Sequence, residues 1–201
     1  MKKFKLLFTV IIILFVTQTF AQTSKWEIDK VHSKIGFSVT HLLISEIDGT
    51  FNDFDGSIIT NNNSFENAQI EFTLKTNSIY TDNTRRDNHL KSPDFFDTEK
   101  YPEINFKSTS FKKIEGNNYK LIGDFTIKDI TKQIVLEVVL GGTIKDPWGN
   151  ERAGFKINGK INRFDYNLKW NNLLEAGGAV VGKEVELNCK VELIKQKDEK
   201  K

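Results

Sequence analysis

The chain has 201 residues, 38% of them hydrophobic and 28% charged, with 29 Lys+Arg against 27 Asp+Glu and a formal net charge of +2. That near-balance excludes the large basic field through which a protein captures nucleic acid or an anionic membrane surface. A lone cysteine, Cys189, excludes an intrachain disulfide, so packing has to hold the fold by itself.

Lys2, Lys3 and Lys5 precede an 11-residue, almost wholly apolar run, Leu6 to Val16, and Thr19 and Ala21 then occupy the −3 and −1 positions of a cut before Gln22. A spanning helix needs about 20 apolar residues, so this is the pattern of a cleavable signal peptide, residues 1–21, that directs the chain to the periplasm or the medium and leaves no transmembrane segment behind. No cysteine stands at the cut to carry a lipid. Cleavage would leave 180 residues with 26 basic and 27 acidic side chains, a nearly neutral protein. That length suits one domain, 22–195, followed by a charged tail, 196–201.

Period-2 alternation recurs along the rest of the chain, as half-buried strands require. Short segments around Trp26–Ile28 and Gly49–Ile58 join the series Ile35-Phe37-Val39, Ile70-Phe72-Leu74 and Ile104-Phe106. Tyr119 to Ile127, Ile134 to Leu140, Phe155 to Ile161 and Val185 to Leu193 follow, giving about nine candidate strands. Asn61-Asn62-Asn63, Glu115 to Asn118, Lys128-Asp129, Asp146 to Asn150 and Gly177-Gly178 mark the turns between them. With no helical period between strands, the fold class is all-β, an antiparallel sandwich or a closed barrel, and glycines inside strands (Gly36, Gly49, Gly123, Gly159) favour the barrel. Residues 80–101 break the rhythm with a long connection mixing charge and aromatics, which holds a short helix after Thr81 or Thr84 and is placed to rim a site. Cys189 shares parity with Val185, Leu187, Val191 and Leu193 and reads as a small apolar core residue.

No phosphate loop, nucleophile elbow or metalloprotease helix is present, and no residue set points to a cofactor or metal. His32 and His41, nine apart, face opposite ways if one strand carries both, which argues against a shared metal. His89 lies in the long connection within reach of Asp87 or Asp94, either as a catalytic pair or as a loop histidine tying down the backbone. These residues support no enzyme and assign no catalytic residue.

In order along the chain stand Trp26-x-Ile28-Asp29-x-x-His32-Ser33-x-Ile35-x-Phe37-x-Val39-x-His41, Gly49-x-Phe51-x-x-Phe54-x-Gly56, and Arg86-Asp87-x-His89-Leu90-x-Ser92-x-Asp94-Phe95-Phe96-Asp97. Tyr101-Pro102-x-Ile104-x-Phe106-x-Ser108-Thr109, Gly123-Asp124-Phe125-Thr126-Ile127-x-x-x-Thr131-Lys132 and Asn162-Arg163-x-Asp165-Tyr166 complete the series. Together they resemble the YceI family over Trp26 to Leu193, with two departures in turns, Asp129 and Asn167, where the family commonly has glycine. The resemblance implies an eight-stranded antiparallel, lipocalin-like barrel that holds a polyisoprenoid, a quinone or a similar long-chain apolar ligand in its lumen. It implies a tunnel lined by Phe37, Val39, Phe51, Phe54, Phe72, Leu74, Phe106, Leu121 and Phe125. A polar rim would come from Arg85, Arg86, His89 and Arg163, with a structural Arg86–Asp87 ion pair as the other use of that dipeptide. Apolar alternation alone leaves open a filled barrel with a protective or interaction role, and an enzyme acting on a lipid through the His89 loop. A homodimer is compatible with the composition, but no patch specifies one.

Overall fold

A computed structural model describes residues 23–61, 64–171 and 180–197. The segment expected to be a signal peptide, the expected turn residues Asn62-Asn63 and Gly177-Gly178 and the last four residues of the chain lie outside the described part.

Eleven strands form one sheet: β1 (Thr23–Ile28), β2 (Lys34–His41), β3 (Ser45–Phe51), β4 (Phe54–Asn61), β5 (Ser64–Lys75), β6 (Ile79–Tyr80), β7 (Glu103–Glu115), β8 (Asn118–Ile127), β9 (Ile130–Lys145), β10 (Glu151–Asn162) and β11 (Val181–Lys195). Every pairing is antiparallel, and β11 pairs with both β2 and β1, which closes the sheet on itself. Three pairs of neighbouring segments, β1/β2, β3/β4 and β5/β6, each act as one interrupted wall strand, so the wall is a closed eight-stranded barrel. Closure removes the free edges on which an open sheet of this length would aggregate.

The alternation seen in the sequence is the in–out alternation of the wall. Tyr119, Leu121, Gly123, Phe125 and Ile127 are buried along β8, and Ile134, Leu136 and Val138 along β9, while the residues between them are exposed or half-buried. In β5 the parity shifts between Phe65 and Ala68, where Asn67 adopts a left-handed φ of 62° and adds a residue to one face.

Connectivity sorts the loops onto two ends. The β2–β3 turn, the connection 81–102, the β8–β9 turn and the connection after β10 share one end, here called the insertion end. The chain termini and the β4–β5, β7–β8 and β9–β10 turns share the other. The insertion carries a single helix, α1 (Thr84–Lys91), which starts where Asn83 accepts a hydrogen bond from the Arg86 N–H at 3.0 Å. Thr81 is not the cap. Its Oγ1 instead donates to Asp87 Oδ1 at 2.5 Å and accepts from Arg86 Nε at 2.7 Å.

Two further expectations change. His32 precedes β2 and donates through Nδ1 to the Asp29 carboxylate at 2.9 Å, so it shares no regular strand with His41. In the β8–β9 turn the left-handed residue is Lys128, φ 58°, rather than Asp129, whereas Asn167 does take the left-handed angle, φ 60°, that a glycine would occupy.

Candidate functional site

The barrel is hollow. Its interior holds a cavity of about 240 Å³, more than ten times the ~10–15 Å³ that one enclosed water needs. Side chains from all eight wall strands line it, and among the described lining residues Arg163, just after β10, is the one that carries a charge. At the insertion end Leu90, Phe95 and Phe96 roof it. At the other end Phe65 packs on Trp26 and Phe155, with ring centroids 5.0 and 4.9 Å apart, and the indole donates to Thr60 Oγ1 at 3.2 Å, so that end is plugged by rings.

Of the residues expected in a tunnel, Phe37, Val39, Phe51, Phe72, Leu74, Phe106, Leu121 and Phe125 face the cavity. Phe54 does not border it. It is 4% exposed and stacks on Phe72 at 6.0 Å, on the inward face opposite Leu74 across β4 and β5 but packed among neighbouring side chains rather than bordering the open space. The expected set covers five of the eight wall strands. Leu136, Val138, Phe155, Ile157 and Leu187 complete it from β9, β10 and β11, and their own period-2 parity is the signal that places them inside. Cys189 also lines the cavity, where burial pushes its thiol up to about 11.

The expected polar rim separates into four different situations. Arg85 is exposed on α1. Arg86 is spent on Thr81, with Nη2 reaching its carbonyl at 2.5 Å, and forms no ion pair with Asp87, which is buried and held by the Thr81 N–H at 2.9 Å. His89 contacts Asp94 through Nε2 at 2.9 Å and is flanked edge-on by Phe95 and Trp170 at 5.1 and 4.9 Å. Arg163 is 3% exposed and donates to four backbone carbonyls, those of Gly182 (2.8 Å), Trp170 (2.9 Å), Val181 (3.2 Å) and Leu168.

Outside the lumen, Asp29, His32 and Glu192 bring donor atoms within 4.8 Å of one another. The cation's place there is taken by Arg152, whose Nη1 lies 2.7 Å from Asp29 and 2.5 Å from Glu192, while its Nε lies 2.7 Å from Asp146. Burial works to raise the Asp29 carboxyl, but hydrogen bonds from His32 and Arg152 overcome it and hold it at about 2. Hydrogen bonding to Arg152 likewise holds Asp146 at about 2. Among the described residues no helix is long and apolar enough to cross a membrane.

A closed antiparallel barrel with an apolar lumen, a ring-plugged end and a roofed end has the architecture in which small barrels can enclose a ligand. The YceI-like domain family matches residues 26–193, and the chain belongs to that family. Protein YceI of Salmonella newport is 39% identical over 199 residues, 98% of this chain and all of that protein. The solved Campylobacter jejuni YCEI protein superposes with a TM-score of 0.69 at 35% identity, covering 84% of this chain and 96% of that one. A polyisoprenoid binding domain from Saccharophagus degradans, implicated in plant cell wall breakdown, shares the fold with a TM-score of 0.60 at 13% identity, over 85% of this chain and 98% of that domain.

Proposed function

We propose that the protein is an exported carrier that holds a long-chain isoprenoid lipid, a polyisoprenoid or quinone, in the barrel lumen. The observation that carries this reading is the cavity of about 240 Å³ with an almost wholly apolar lining drawn from every wall strand. Burying about ten methylene-sized groups contributes roughly 8 kcal/mol at ~0.8 each, near micromolar affinity before ordering costs are subtracted. The family resemblance and the polyisoprenoid binding described for the fold neighbour point to the same ligand class. Export rests on the pattern of residues 1–21, and it puts the barrel where a free long chain has only water around it.

The cavity stands against the filled-barrel alternative. His89, bonded to Asp94 and enclosed by two rings, serves to hold the insertion down, and no observation favours the enzyme reading. The test is native mass spectrometry of protein purified from its own host, which should release an apolar ligand on denaturation. Phe72→Trp and Phe106→Trp, which narrow the lumen, should weaken lipid binding. A ligand-free protein whose binding is unchanged in both variants sinks the proposal.

A further inference from the structure

Arg163 and Tyr166 begin and end a 3₁₀ turn, Arg163–Tyr166, that follows β10 at the insertion end. Side chains three apart on such a turn eclipse one another, so these two leave it on the same side. Both are almost fully buried, at 3% and 1% exposure.

Each has hydrogen-bonding capacity left over. A guanidinium carries five N–H donors; four are used on the carbonyls of Leu168, Trp170, Val181 and Gly182, which leaves one Nη2 proton without an acceptor among the described residues. Among the described residues no carboxylate is bonded to this cation, and Arg163 lines a lumen whose other described lining residues are apolar. The Tyr166 hydroxyl is, among the described residues, the one buried side-chain polar atom with no hydrogen-bond partner. Its ring stands edge-on to Phe125, a lumen residue, with centroids 5.8 Å apart. Burial pushes its pKa up to about 12, so at neutral pH the hydroxyl keeps its proton and can donate. Buried polar atoms are nearly always satisfied, and a native protein that leaves one open has a reason for it.

We propose that Arg163 and Tyr166 form a two-donor head site, in which an acceptor oxygen at the end of a long apolar chain takes the spare Nη2 proton and the Tyr166 hydroxyl. This rests on the reading of the lumen as a long-chain site. It orients the cargo, with the oxygen under the insertion and the tail toward the Trp26–Phe65–Phe155 plug, where no polar side chain among the described residues lines the cavity. The shared chemistry is an acceptor oxygen, whether an alcohol, a carbonyl or a phosphate.

Tyr166→Phe tests it, because a head-site hydroxyl and a structural one respond with opposite signs. Binding of squalene, geranylgeraniol and geranylgeranyl phosphate is measured by displacement of a fluorescent probe, alongside the melting temperature of the ligand-free protein. The proposal expects no fall in melting temperature, unchanged squalene affinity, and about tenfold weaker binding of the oxygen-bearing chains. Loss on the phosphate alone assigns an anionic head, and loss on both assigns a neutral acceptor; either supports the site. A lowered melting temperature with equal weakening of all three probes shows a merely structural tyrosine and overturns it. So does a variant that binds all three like the wild type. If the wild type binds none of the three, the long-chain reading itself fails, which is a different result from squalene binding without any preference for a head.

Discussion

The ring of Phe37 occupies the space that a side chain on Gly49 would fill: a Cβ at position 49 would meet Phe37 Cζ at 2.2 Å. The two residues are direct partners across β2 and β3. The same device recurs where Phe72 covers Gly56, Phe106 covers Gly123 and Leu136 covers Gly159. Laid flat on glycine, a large side chain lines the wall without filling the lumen. Glycines inside these strands therefore do more than permit bending; they make the room.

Gly49→Ala should shrink the lumen while preserving the barrel, because the three atoms nearest to an added Cβ all belong to the movable Phe37 ring. Excluding about two methylene-sized groups of ligand removes roughly 1.6 kcal/mol of burial, so long-chain affinity should fall about 15-fold. Titration with a fluorescent fatty probe would show this, and unchanged affinity would mean that the ring does not bound the ligand space.

Trp170 should govern how fast cargo leaves. Its ring contacts His89 and Phe95, joining the insertion to the segment after the 3₁₀ turn. Two aromatic contacts of about 0.5–1.5 kcal/mol each are enough for Trp170→Ala to speed ligand release about tenfold. Stopped-flow displacement reads the rate. An unaltered rate would show that cargo exits elsewhere.

Acid should act on the Arg152 cluster. Asp29 and Asp146 sit near 2 in the folded protein against an ordinary 3.8, so they bind protons less readily folded than unfolded. Their contribution to stability is complete above about pH 4 and is lost as pH falls toward 2. Arg152→Met should lower stability at pH 7 and flatten that acid limb in thermal unfolding measured between pH 4 and 2. An acid limb as steep as the wild type's would remove the cluster from the explanation.

Cys189 offers a reporter of occupancy. With its thiol at about 11, only about one molecule in a thousand is thiolate at pH 8. Labelling by a maleimide should be slow in the empty barrel, accelerate as pH rises, and stop when a long-chain ligand fills the lumen. Labelling indifferent to ligand would place the thiol away from the cargo.

Strand parity is legible in the sequence because side-chain direction alternates with every residue, a property of local backbone geometry. Hence alternation alone is enough to turn Leu121 and Phe125 inward. It also turns Phe54 inward, but packing against Phe72 rather than parity decides that Phe54 does not border the open space. Arg86 and Arg163 look alike in sequence, each beside an acid or one residue from one. Their difference arises from distant carbonyls: Arg86 meets its near neighbour Thr81, while Arg163 meets residues up to 19 positions away. The lining from β9, β10 and β11, including Leu136 and Phe155, carries the same alternation but falls outside the family motifs.

The chain's order of apolar and polar residues was sufficient for an all-β barrel, for the irregular 80–101 connection and for the family. Both short-range periodicity and ordered motifs are carried by neighbours in sequence. Whether the barrel is solid or hollow was decided only by register, because Gly49 falls opposite Phe37 through pairings that sequence neighbours do not dictate. Register also set the lumen's polarity. It brought β11 and the end of β10 together so that Arg163 lines one end of an apolar space and Tyr166, packed on the lumen residue Phe125, lies buried with no hydroxyl partner among the described residues.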